Sequence, residues 1–219
     1  MTGTAGQLYG DCLDALTGLV ATLDDQQLRT RVPATPRWDV RTVVAHLAGG
    51  SSDLASGRTD GAPGPNWTAR HVAERSAIPL PHLIDELRSH QGQMAVIADT
   101  TTPSLPWDIS VHLSDLYEAL GLGEPDESSW LPVLEAASDR LLSGLPVRIQ
   151  AGAAAWGAGP EIVELSAYEL YRSLFSRRSR AQMRAWGAPQ LDDEALAAMC
   201  AFGPREDDQP VPSSVASST

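Results

Sequence analysis

The sequence predicts a mainly α-helical fold: a four-helix bundle over residues 1–123, then a small α/β domain over residues 124–202. Two observations carry this. Four apolar stripes of helical period, separated by Gly- and Pro-rich breaks, fill the first 120 or so residues. After residue 144 that period gives way to two short alternating stretches, VRIQA (147–151) and EIVEL (161–165), which read as strands. A length of 219 residues suits one large domain or two small ones.

The elements follow in order. Leu13, Leu16, Val20 and Leu23 place a first helix over 6–29. Pro33 and Pro36 break the chain, and Asp39 then stands as N-cap to a second helix carrying Val40, Val43, Val44 and Leu47. Gly49 and Gly50 mark where that helix weakens or ends. Residues 56–66 are rich in Gly and Pro and read as a loop long enough for a non-sequential bundle. A third helical region runs over about 68–99, with a break expected at Pro79 and Pro81. The fourth helix is WDISVHLSDLYEALG (107–121), stopped by Gly121 with Pro125 beyond. In the second domain, 127–144 reads as a helix, the two strands flank a Gly-rich turn, and SAYELYRSLFSRRSRAQM and DDEALAAMCAF return to helix. The tail 203–219 is polar and rich in Pro and Ser, and disorder is expected there.

Composition excludes several classes. The formal net charge is −12, which argues against a nucleic-acid or anionic-membrane partner, because phosphate neutralisation needs a positive patch, and the only dense basic run is Arg177, Arg178 and Arg180, with Arg184 close behind. All sixteen basic residues are Arg and none is Lys, which removes Schiff-base and P-loop lysine chemistry. The absence of Lys, whose codons are AT-rich, points to a GC-rich genome. The two cysteines, Cys12 and Cys200, cannot form a zinc quartet. No basic-then-apolar leader and no apolar run of about 18 residues is present, so a reduced, cytoplasmic protein is expected.

The chemistry concentrates on the fourth helix. Asp108, His112 and Asp115 stand at i, i+4 and i+7, on one side of it. A carboxylate and an imidazole one turn apart can share a divalent ion, but a metal centre wants a third protein ligand. His46, on the second helix within WDVRTVVAHLAG, is the candidate, because facing bundle helices build such sites from inward side chains. His46, Asp108 and His112 would make a 2-His-1-carboxylate set, suited to zinc or to non-haem iron. The remaining histidines, His71, His82 and His90, share no helical spacing with a carboxylate pair and rank lower as candidates. Asp115 either orients a ligand histidine through its other ring nitrogen or acts as a general base. A polar seam or a surface acid is the plain alternative.

These motifs resemble a known family. TPRWDVRTVVAHLAG resembles the W-x-V-x-x-x-x-x-H-L-x-G signature of the mycothiol-dependent maleylpyruvate isomerase family, in the DinB-like superfamily. WDISVHLSDLYEALG is similar to that family's second signature, and LYRSLFSRRSRAQ to the L-x-x-L-x-G-R-R-S stretch of its C-terminal domain. The resemblance implies a DinB-like four-helix bundle, a small α/β C-terminal domain and a divalent metal, usually zinc, held by His46, Asp108 and His112. The isomerase itself uses Glu where this chain has Asp108. The chain departs from the pattern at Tyr117, where the family often has Arg, and at Ser176, where it has Gly. Both stretches are expected to face substrate. Arg177 and Arg178 are candidates to bind a substrate carboxylate in a cleft between the domains with bidentate geometry, although a solvated helix face is the plainer reading of such a cluster.

The function expected from the resemblance is thiol-assisted isomerisation, or thiol transfer, on a small-molecule substrate. Mycothiol is the small thiol of actinobacteria, and the Lys-free composition is compatible with that source. Two other readings of the same residues stay open. One is a thiol-independent, metal-dependent hydrolase, isomerase or cyclase of a biosynthetic pathway. The other is a non-catalytic binding or regulatory module. Monomer and homodimer are both compatible with the sequence.

Overall fold

The first apolar stripe folds as α1 (Ala5–Val20), with the Thr4 hydroxyl accepting from the Gln7 N–H at its start. It ends nine residues short of the helix expected over 6–29. Asp24 caps a new short helix, α2 (Asp25–Leu28), in a capping box with Gln27, and this local pairing restarts the chain rather than continuing it. The computed structural model describes residues 3–212 and divides the chain into two units, the first ending at Gly123 and the second beginning at Glu124.

Asp39 caps α3 (Val40–Ser56) as expected, its Oδ1 accepting from the Thr42 N–H at 2.8 Å. The helix does not weaken at Gly49 and Gly50. It runs through both and stops at Gly57, whose φ of 72° closes it in the left-handed conformation. The helical region expected over 68–99 is two helices, α4 (Pro65–Glu74) and α5 (Leu80–Thr100), both with Pro in the first turn. The stretch that raised the question of chemistry is α6 (Leu105–Leu120), ended by Gly121.

Helices α1, α3, α5 and α6 form the bundle, with α4 packed on α3. Leu13 and Leu16 from α1, Val43, Val44 and Leu47 from α3, Leu83, Leu87 and Met94 from α5, and Ile109, Leu113 and Leu116 from α6 share one core. Burying each such side chain contributes about 1.5–3 kcal/mol, which holds the helices where propensity alone would not. Tyr117 packs half-buried against this core.

In the second unit α7 (Leu131–Leu141) packs on α8 (Ala167–Leu174). A three-stranded sheet has the order β2-β1-β3, with β1 (Arg148–Ala151) antiparallel to β2 (Ala154–Trp156) and parallel to β3 (Ile162–Leu165). The expected Gly-rich turn contains β2, which is too short for alternation to reveal. A Cβ at Gly159 would lie 1.7 Å from the Pro146 carbonyl oxygen, so only glycine lets the chain pass there.

The expected continuous helix after β3 breaks at Ser176. This residue has a φ of 61°, the one positive φ of a non-glycine residue among the described residues. The Gly of the family pattern is therefore explained by backbone shape at the turn from α8 to α9 (Arg180–Arg184). The last helix is α10 (Asp193–Ala198). The disorder expected from residue 203 is not seen as far as 212. Arg180 N–H donates to the Arg205 carbonyl, and Gln182 Nε2 donates to the Gln209 carbonyl at 2.7 Å. Residues 213–219 of that expected tail lie outside the described residues. Among the described residues no helix is long and apolar enough to cross a membrane.

Candidate metal centre

The bundle brings His46 and the α6 triad together. His46 lies two turns into α3, 5% exposed; His112 lies midway along α6, also 5% exposed. Asp108 sits in the first turn of α6, where the helix N-terminus favours a negative charge. Its side chain is 58% exposed, so the group is open to solvent on its carboxylate side. His46 Nε2 is 3.5 Å from Asp108 Oδ2, and His112 Nε2 is 3.6 Å from Asp108 Oδ1. All three donor atoms lie within 4.8 Å of one another.

These separations fit a shared cation. Tetrahedral ligands at about 2.0–2.1 Å from zinc stand about 3.3–3.4 Å apart, close to both carboxylate–imidazole distances here. Two nitrogens and one oxygen are a donor set that zinc accepts while keeping a position open for another molecule.

The orientation of His112 has a visible cause. Its Nδ1 lies 3.0 Å from Oδ2 of Asp115, which is fully buried. A carboxylate there accepts the Nδ1 proton and leaves the Nε2 lone pair facing Asp108. The Trp38 ring lies beside both imidazoles, with centroids 5.0 Å from His46 and 6.0 Å from His112. Tyr9 from α1 is buried nearby. Burial, and then the charge of Asp108, push its phenol pKa up, so it stays protonated.

His71, which ranks lower from spacing alone, lies beside His46. It is fully buried, and its Nδ1 lies 3.5 Å from Nδ1 of His46. Its Nε2 lies 3.0 Å from Oδ2 of Asp53, which is also fully buried. Asp53 further accepts from Arg58 Nε at 2.6 Å and from Arg70 Nη2. Burial alone would raise the Asp53 pKa, but hydrogen bonds from Arg70, Arg58 and His71 outweigh it and hold the group at about 2. Burial pushes the His71 pKa down, against the pull of Asp53.

Helical spacing could not find His71, because it arrives from a different helix. The signal that existed was Gly49. A Cβ there would lie 2.4 Å from the Cβ of His71, so the Gly-Gly pair marks close approach of α4 to α3. Gly49→Ala is expected to destabilise the protein by about 1–3 kcal/mol in urea unfolding, despite the better helix propensity of Ala. An unchanged midpoint would show that α4 yields freely.

Arg177 lies in the second unit. Its Nη1 donates to the Phe175 carbonyl at 2.7 Å and its guanidinium lies 5.9 Å from the centroid of the Phe202 ring. Arg178 binds Glu169 through two hydrogen bonds of 2.7 and 2.6 Å. These contacts brace the turn at Ser176. Both thiols are buried, and burial pushes Cys12 up to about 12 and Cys200 up to about 11. Neither is a thiolate at neutral pH.

Residues 9–115 match the family model described as the mycothiol maleylpyruvate isomerase N-terminal domain. The matched segment is nearly all of the first unit, which therefore carries a domain of this family. His46, Asp108, His112 and Asp115 all fall inside the matched segment. The chain also matches the crystal structure of the mycothiol-dependent maleylpyruvate isomerase, with a TM-score of 0.51 at 12% identity, over 79% of this chain and 88% of that one. At that identity the likeness is one of fold. A structure of a histidine-to-alanine mutant of the same isomerase matches at 11% identity with a TM-score of 0.49, over 78% and 88% of the two chains. No curated protein matches the sequence.

Proposed function

We propose that this protein is a metal-dependent enzyme that uses a small thiol, mycothiol, to isomerise or thiolate a small molecule. The observation that carries the proposal is the group His46, Asp108 and His112, with donor atoms within 4.8 Å of one another. Zinc is the ion proposed, held by Nε2 of the two imidazoles and by the Asp108 carboxylate. When bound there it supplies Lewis acidity, which favours the thiolate form of a thiol at neutral pH.

The chain's own residues do the rest. Asp115 holds the His112 proton at Nδ1, and Trp38 flanks both imidazoles and narrows access by water. Asp108 leaves one side of the group open to an incoming molecule. Cys12 and Cys200 stay protonated, so a reactive sulfur would be delivered by a co-substrate. Thiol addition to an activated double bond, rotation and elimination return the thiol and give cis–trans isomerisation. Addition followed by release gives transfer. Arg177, which donates to the Phe175 carbonyl and lies over the Phe202 ring, is given no chemical step.

Elemental analysis of freshly purified protein is expected to find one equivalent of zinc. Mycothiol is expected to change the visible absorption of the Co²⁺-substituted protein. No stoichiometric ion overturns the metal assignment. An unchanged Co²⁺ spectrum at saturating mycothiol overturns the thiol chemistry while leaving the metal in place.

A further inference from the structure

We infer that Asp53 and His71 form a relay that holds His46 as its Nδ1–H tautomer, with the Nε2 lone pair turned toward Asp108. The two imidazoles of the group differ in how they are held. His112 meets a buried carboxylate directly, through Asp115 at 3.0 Å. His46 meets none directly. Its Nδ1 faces Nδ1 of His71 at 3.5 Å, and Nε2 of His71 lies 3.0 Å from Asp53.

Arg58 and Arg70 both donate to Asp53, so its carboxylate is ionised and can only accept. The His71 proton therefore sits on Nε2, the nitrogen facing Asp53. A neutral imidazole with Nε2–H presents an acceptor at Nδ1. Facing that acceptor, Nδ1 of His46 carries a hydrogen, because two bare lone pairs would repel. His46 Nε2 is then the unprotonated nitrogen, the one 3.5 Å from Asp108. The relay spans two elements, since Asp53 and His46 stand two turns apart on α3 and His71 comes from α4. Gly49, between them on α3, is what lets the His71 ring enter.

His71 is thus a positioning residue. It acts on the centre through His46, and its role rests on the reading of His46 as a ligand. The partners that orient metal-binding histidines are commonly worth 10–100-fold in metal affinity.

The decisive measurement is long-range ¹H–¹⁵N NMR on metal-free protein labelled at histidine nitrogens. His46 is expected as the Nδ1–H tautomer in the wild type. His46 found with its hydrogen on Nε2 overturns the relay. Zn²⁺ affinity, by competition with a chromophoric chelator, is the second readout. His71→Phe is expected to weaken Zn²⁺ binding by about 10–100-fold. His71→Gln, whose amide oxygen can accept from His46 Nδ1, is expected to recover part of that loss. Asp53→Asn provides the same test at the far end without removing a ring from the core, and is expected to fall between the two. Wild-type affinity in both His71→Phe and Asp53→Asn overturns the proposal. A wild type that binds no Zn²⁺ defeats the metal reading instead, while the tautomer measurement still decides the relay.

Discussion

His112→Ala is expected to abolish stoichiometric zinc binding, lowering affinity by more than about 100-fold. Losing an orienting partner alone costs 10–100-fold, and losing a ligand costs more. Two donors remain, too few for a zinc centre. The same change also removes the imidazole from buried Asp115, 3.0 Å away, and this weakens the fold by about 1–3 kcal/mol. Loss of activity in that variant would therefore mix two effects. Asp108→Ala separates them. Asp108 is 58% exposed, so its removal strands no buried carboxylate, and its effect on the melting of metal-free protein is expected to be smaller than that of His112→Ala. The pair gives a clear pattern in zinc titration and thermal unfolding: both variants lose the metal, and His112→Ala loses more metal-free stability. Retention of tight zinc in either variant would remove that residue from the centre.

Asp53→Asn is expected to lower stability at pH 7 by about 2 kcal/mol. The folded-state pKa of Asp53 is about 2, depressed below the ordinary 3.8 by Arg70, Arg58 and His71 acting against burial. A depressed carboxylate contributes stability that is fully present above the unfolded value. It is lost as pH falls through the folded value. The wild type should therefore lose this contribution between about pH 5 and pH 2, whereas the Asn variant should show a flatter acid limb. The two curves should converge near pH 2, where the wild-type carboxyl is itself half protonated. Urea unfolding midpoints measured across pH 2–7 check this, and parallel curves would mean that the buried clamp adds nothing. Arg58 and Arg70 are partly exposed, so in the variant they turn to solvent, and His71 keeps the larger share of the damage.

Much of the centre was legible because its pattern is local. Asp108, His112 and Asp115 share a side of α6 through the helical period alone, and that period needs no knowledge of the fold. Asp39 announced the start of α3, and with it the placing of His46, through a capping preference of a few residues' range. The same locality explains two misreadings. The capping box of Asp24 and Gln27 ended the first helix early, although apolar spacing ran on to Leu23. Ser176 broke a helix that its composition would have continued, through a left-handed backbone that Ser, unlike Gly, does not advertise.

Composition, period and motif were enough for a helical bundle, a following small sheet and three of the residues on one helix. They were enough to nominate His46 as a partner on another. They could not supply His71 and Asp53. Helix spacing relates residues a few positions apart, whereas His71 and His46 stand 25 residues apart on helices joined by a loop. What joins them is the missing side chain at Gly49, which lets α4 close on α3 until the two rings meet. A cavity left by an absent Cβ has no periodicity to read, so only the packed bundle decided that one imidazole would be braced by a carboxylate and the other by a third histidine.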